Sequence, residues 1–117
     1  MNQFSKEEIY QEIGKIISKF NNLECDLCAR EIQKFLNLNQ IKNKILKLKT
    51  KRANDFFIIS NRFSVNESIT YNGIHYGVEV QGLVFDNLST QGMTRKQWEK
   101  DFSCRSGSFI IDELEYI

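Results

Sequence analysis

The chain contains no proline among its 117 residues. No cis X–Pro bond can therefore shape a turn or face a reactive group. It has one histidine, His75, so a histidine base, where chemistry needs one, is His75. It has three cysteines, an odd number, and it opens without the charged-then-apolar segment of a secretory signal. A disulfide framework is not expected, and the thiols read as reduced in a cytoplasmic setting. No run of about 18 apolar residues is present, so no membrane-spanning helix is expected. The net charge is only +1, which leaves no global field to draw in nucleic acid or a membrane.

What is present has an ordinary globular balance. Nine Phe, four Tyr and one Trp are too many aromatics for a disordered chain. The length suits a single domain, residues 1–117, with one core. Residues 5–20, "SKEEIYQEIGKIISKF", read as a helix. Ser5 and Glu8 have capping-box spacing, and Ile9, Ile13, Ile16, Ile17 and Phe20 form one apolar face. A second helix follows, with Asn21 or Asn22 as its expected cap. On it Cys25, Ala29, Ile32 and Leu36 form a stripe, with Cys28 and Phe35 beside it.

Residues 42–52, "KNKILKLKTKR", alternate, with Leu46 and Leu48 on one side and Lys47 and Lys49 on the other. That pattern reads as a half-exposed edge strand, its lysines solvated rather than bound to nucleic acid. "DFFIIS", 55–60, reads as a buried strand, and 61–74 as a long loop with a turn at Asn72–Gly73. "IHYGVEV" and "GLVFDN" read as a hairpin around Gln81–Gly82. Thr94 and Gln97 mark a second capping box before a short helix, and "SFIIDELEYI" reads as a closing strand. The expected architecture is α+β, N-terminal helices packed on one face of a small antiparallel sheet.

"CDLC", residues 25–28, poses the functional question. Two small core residues on a buried helix face are one answer. A structural zinc site would need four ligands in two close pairs, and here Cys104 and His75 stand scattered from Cys25 and Cys28. A thioredoxin-like redox pair would need a preceding βαβ unit and a facing cis-proline, and both are missing. The third answer is a nucleophile. A helix N-terminus favours a thiolate, and Cys25 falls in the first turn, with Cys28 one turn further in.

A thiolate nucleophile wants a base. With a two-residue turn at Gln81–Gly82, Val80 pairs with Leu83 and Glu79 with Val84. Gly77 then faces Asp86, and His75 faces Leu88. His75, Gly77, Asp86 and Leu88 share one face, so Asp86 is a diagonal neighbour of His75 across a glycine. A one-residue slip would exchange Asp86 for Asn87. A carboxylate there would orient the imidazole, which in turn would deprotonate the thiol.

The order of cysteine on a helix, histidine on a strand and acid on the next strand resembles papain-like cysteine proteases. "CDLCA", "NGIHYGVEV", "GLVFDNLSTQGM" and "FSC" resemble the bacterial papain-fold toxin family, the second of the papain-fold families of polymorphic toxin systems. The likeness runs from about Leu23 to the C-terminus. It implies a papain-like fold and a catalytic set carried by Cys25, His75 and Asp86, with no metal or cofactor. It also implies a cysteine protease, or a deamidase or acyltransferase on the same set, used against a bacterial target protein and restrained by a cognate immunity protein. Papain itself uses the second cysteine of its Cys-x-x-Cys, which would point to Cys28. Papain's oxyanion-hole Gln has no counterpart upstream of Cys25, where Asn21 or Asn22 could donate instead, next to the nucleophile's own N–H. Glu79 and Trp98 are weaker cleft candidates, better read as strand surface and core anchor. The rival from another class is a binding module with core cysteines and a basic strand that contacts RNA or protein.

Overall fold

The computed structural model describes residues 3–117. Helix α1, Lys6–Ile17, opens with both halves of the predicted capping box, Ser5 and Glu8 bonding each other's backbone N–H. Its buried face is Ile9, Ile13 and Ile17. Helix α2, Cys25–Leu38, buries Cys25, Cys28, Ala29, Ile32, Gln33 and Leu36.

The main sheet has five antiparallel strands in the order β5-β4-β3-β1-β7. Here β1 is Lys44–Thr50, β3 Ile74–Val80, β4 Leu83–Asp86, β5 Ser89–Met93 and β7 Phe109–Leu114. The basic strand β1 is thus interior, not the expected edge, because the C-terminal strand β7 pairs along its outer side. A second, two-stranded sheet joins β2, Ile58–Ser60, to β6, Phe102–Cys104. The expected strand over 55–60 is shorter than foreseen: Phe57 is 67% exposed and pairing starts at Ile58. Helix α3, Arg95–Lys100, opens with the Thr94–Gln97 capping box.

The hairpin forms in the predicted register, Val80 opposite Leu83, Glu79 opposite Val84 and Val78 opposite Phe85. Gln81 and Gly82 both take positive φ, 48° and 88°. That geometry follows the natural twist of two antiparallel strands. Tyr10 of α1 donates to the Gln81 carbonyl at 2.7 Å and pins the hairpin tip.

Both faces of the sheet are covered, where the sequence suggested helices on one face only. On one side α1 and α2 close over Ile45, Val78, Val80 and Phe85. On the other, Leu46, Leu48 and Val84 pack with Ile58, Ile69, Trp98 and Phe102, drawn from β2, the loop 61–73, α3 and β6. Leu46 and Leu48 therefore point into a core that the sequence pattern left unspecified. Among the described residues no helix is long and apolar enough to cross a membrane.

Candidate active site

The start of α2 differs in detail from the expected cap. Leu23 takes a positive φ of 75° and Glu24 occupies the N-cap without a side-chain cap bond. The Glu24 carboxylate instead accepts from the Asn21 N–H at 2.6 Å. The asparagines serve as ties: the Asn22 amide donates to the Ser68 carbonyl at 3.1 Å, and the Asn87 amide donates to the Asn21 carbonyl at 2.9 Å. The first intrahelical bond runs from the Cys28 N–H to the Glu24 carbonyl. The backbone N–H groups of Cys25, Asp26 and Leu27 thus lie ahead of the hydrogen-bonded ladder, at the positive end of the helix. Cys25 is the first helical residue. It is 7% exposed, and its sulfur lies 4.0 Å from the Ile74 carbonyl, at the start of β3.

The next residue on β3 is His75, wholly buried. Its Nε2 lies 3.0 Å from Asp86 Oδ2. The carboxylate can only accept, so Nε2 carries the proton of the neutral ring and Nδ1 bears the lone pair. Nδ1 is buried without a hydrogen-bond partner of ordinary geometry, and it is the ring nitrogen left for the Cys25 sulfur. Burial alone would lower the His75 pKa. Contacts with Asp86 and then with Cys25 outweigh it and lift the pKa to about 9. The ring packs against both Trp98 and Phe102, with centroids 6.1 and 5.1 Å away.

Asp86, not Asn87, faces His75. Burial would raise the Asp86 pKa, but the His75 contact and the Arg62 guanidinium hold it well below the usual carboxylate range. Five donors converge on this carboxylate. His75 supplies one. Arg62 Nη1 and Nη2 donate to Oδ1 and Oδ2 at 2.9 and 2.7 Å. Trp98 Nε1 donates to Oδ2 at 2.9 Å and the Leu88 N–H to Oδ1 at 3.1 Å. Trp98 reaches Asp86 over Gly77, where an added Cβ would sit 2.9 Å from both the indole and Val84. The glycine between His75 and Asp86 is therefore not empty space, because an aromatic ring fills it.

Arg62 is the residue sequence reasoning missed. It lies in the loop 61–73, with partners 24 and 39 residues away in the chain. No local pattern marks it. Trp98 is buried as a core anchor and also hydrogen-bonds the site. Glu79 lies four residues along β3 from His75, pointing to Lys44 at 3.8 Å, beside a broad groove of about 670 Å³ at the hairpin end. It takes no part near the cysteine.

Cys28 is wholly buried in the helix-side core. Burial first, then the negative charges of Asp86, Cys25 and Glu24, push its thiol up to about 12. It packs in that core, where burial disfavours the thiolate form. Cys104 sits on β6 beside the Ser106 hydroxyl at 3.3 Å. Among the described residues no three His, Cys, Asp or Glu side chains are grouped to hold a metal ion.

A small cleft of about 120 Å³ opens beside Cys25, walled by Asp26 and Arg30 of α2, Thr70 and Tyr71 of the loop, and Tyr76 of β3. The thiol, an oriented imidazole and a buried carboxylate thus lie in sequence behind a solvent-facing opening. Chemically, such a set can attack an electrophilic carbonyl and protonate a leaving group.

No curated protein matches the chain, and no solved structure matches it. A protein-family model described as papain fold toxin 2 matches residues 8–103, from α1 into β6, reaching further at the N-terminus than the likeness from Leu23 and stopping short of the C-terminus to which that likeness ran. With that match over most of its length, and helices packed on a mostly antiparallel sheet, the chain belongs to the papain fold toxin 2 family and has its α+β, papain-like fold.

Proposed function

We propose that the chain is a cysteine peptidase acting as a toxin on a bacterial protein, with Cys25 as nucleophile, His75 as base and then acid, and Asp86 as the group that orients His75. The observation that carries this reading is the His75 ring, bonded through Nε2 to the buried Asp86 carboxylate with Nδ1 left unpaired, while the Cys25 sulfur lies against the carbonyl of the preceding residue, Ile74.

The thiol proton rests on His75 Nδ1 as a thiolate–imidazolium pair, and the thiolate sulfur attacks the carbonyl carbon of an amide. The oxyanion that forms is stabilised by the Cys25 N–H and the N-terminal end of α2. The imidazolium then protonates the departing amine, leaving a thioester. Water, deprotonated by His75, attacks the thioester and releases the acid. Asn22 is not the first choice for the oxyanion, since its amide is turned to Ser68. Each step uses only side chains, backbone N–H groups and water. A cognate immunity protein would restrain the enzyme by covering the Cys25 cleft.

A second reading is hydrolysis of a glutamine side-chain amide on the same set. The small size of the cleft favours it, since about 120 Å³ holds one side chain more readily than an extended peptide. One experiment separates the two. Wild-type protein and Cys25→Ala are incubated with a bacterial lysate, and peptides are compared by mass spectrometry. New chain termini that depend on Cys25 support the peptidase. Cys25-dependent conversion of Gln to Glu without new termini supports the deamidase. A lysate that both proteins leave identical refutes the hydrolase reading.

A further inference from the structure

We propose that Arg62 is a positioning residue of this site: its guanidinium fixes the plane of the Asp86 carboxylate that orients His75, and couples that carboxylate to the loop walling the Cys25 cleft. The proposal rests on the triad reading above.

The first support is geometry. Arg62 meets Asp86 with two parallel bonds, Nη1 to Oδ1 at 2.9 Å and Nη2 to Oδ2 at 2.7 Å. A two-point contact fixes the rotation of a carboxylate, which a single bond leaves free. Asp86 Oδ2 is also the atom that meets His75 Nε2. The carboxylate plane that orients the imidazole is therefore held by the Arg62 fork together with Trp98 Nε1 on Oδ2 and the Leu88 N–H on Oδ1.

The second support is charge. The Asp86 side chain is wholly buried. A lone carboxylate there would take up a proton, become a donor, and lose its hold on the correct tautomer. The His75 contact and the Arg62 fork together prevent that. Its own position is fixed from the far side, where Nε donates to Asp101 Oδ2 at 2.9 Å and the guanidinium lies 5.7 Å over the Phe102 ring. Asp101 also accepts from the Ser60 hydroxyl. One guanidinium between two carboxylates leaves a single negative charge, which the His75 imidazolium balances. The other titratable and charged groups near the set are Cys25, Cys28, Glu24 and Asp26 at the start of α2, with Arg30 one turn on.

The third support is the path of the chain. Arg62 stands at the start of the loop 61–73. Ile69 of that loop is anchored in the second core, and Thr70 and Tyr71 wall the cleft. One residue thus ties the cleft wall to the carboxylate behind the imidazole.

The test is per-cysteine iodoacetamide labelling across pH, with folding followed by circular dichroism, for wild type, His75→Ala, Arg62→Lys, Arg62→Met, Asp86→Asn and Arg62→Met/Asp86→Asn. Arg62→Lys keeps the charge and loses the fork. We expect it to fold and to label Cys25 roughly 10-fold more slowly, since small misplacements near a reacting centre carry factors of that order. Arg62→Met should be slower again, with the acid limb of its profile moved to higher pH, because the buried Asp86 carboxylate, without its cation, takes up a proton more readily and releases His75. The double variant should be no slower than Asp86→Asn alone, because Arg62 acts only through Asp86. Should Arg62→Met fail to fold, Arg62→Lys and the double variant, which has no unpaired Asp86 charge, decide the matter. Wild-type rates and profile in Arg62→Lys would overturn the proposal, as would a double variant slower than Asp86→Asn by the full Arg62→Met factor. If His75→Ala labels Cys25 like wild type, the triad reading itself falls. If His75→Ala is slow and the Arg62 variants are not, only the role of Arg62 falls.

Discussion

The single histidine makes one prediction unusually direct. His75 is wholly buried, which alone would favour the neutral ring, yet Asp86 and Cys25 lift its pKa from an ordinary 6.5 to about 9. In the unfolded chain it titrates near 6.5. A group raised on folding stabilises the fold fully below about 6.5, and that contribution is lost as pH rises through about 9. At roughly 1.4 kcal/mol per pH unit, the rise corresponds to about 3 kcal/mol of stability that depends on the imidazolium. Two assays read it. The imidazole proton resonances belong to one residue, so an NMR titration gives the pKa without assignment ambiguity. Urea unfolding at several pH values between 6 and 10, for wild type and His75→Gln, gives the linked free energy. We expect the resonance to titrate well above 7, and the stability advantage of wild type over His75→Gln to shrink by up to about 3 kcal/mol across that range. In Cys25→Ser the pKa should fall from its wild-type value, because one of its two supports is gone. A midpoint at or below 6.5, or a constant difference between the two proteins, would refute the reasoning, for burial would then have outweighed the carboxylate.

Three more outcomes are expected. Cys28→Ala should leave Cys25 labelling within about threefold of wild type and cost about 1–2 kcal/mol in urea unfolding, from lost packing alone. Gly77→Ala places a Cβ against Trp98 and Val84; it should cost about 1–3 kcal/mol, change the emission of the single tryptophan and slow Cys25 labelling, whereas unchanged emission would mean the indole does not lie over Gly77. Thr94→Ala and Ser5→Ala each remove one capping-box side chain, and each should lower stability by about 1 kcal/mol without changing Cys25 reactivity at pH 7.

Local chemistry was legible where it acts over a few residues. Both capping boxes form, because Ser5–Glu8 and Thr94–Gln97 span a single helical turn. The turn at Gln81–Gly82 set the hairpin register, and the register put Asp86 on the side of His75. The neighbours of a strand were not legible. β1 pairs with β7 through residues 59 to 69 positions later in the chain, so alternation in 42–52 could show which side chains face inward but not that both edges are covered. β5 was missed because "STQGM" is half-exposed and carries no apolar alternation. The helix cap shifted to Glu24 because Leu23 takes a left-handed turn, the Asn22 amide donates to Ser68, and Asn21 meets Asn87 only through its backbone carbonyl. Arg62 was invisible for the plainest reason: an exposed-looking loop residue gives no sign that it will be drawn inward by carboxylates contributed by β4 and by the C-cap of α3.

The sheet stands between two separately built cores. Cys28 and the stripe beneath Cys25 pack in the helical one. His75 packs against Trp98 and Phe102 in the other. Thiol and imidazole can therefore meet only when both layers have docked. A chain with its helices closed on the sheet but with α3 and β6 still loose would keep most of its secondary structure and have an ordinary, sluggish thiol. On the proposed reading, Cys25 reactivity is a gauge of assembly: it reports that two halves of the molecule have come together.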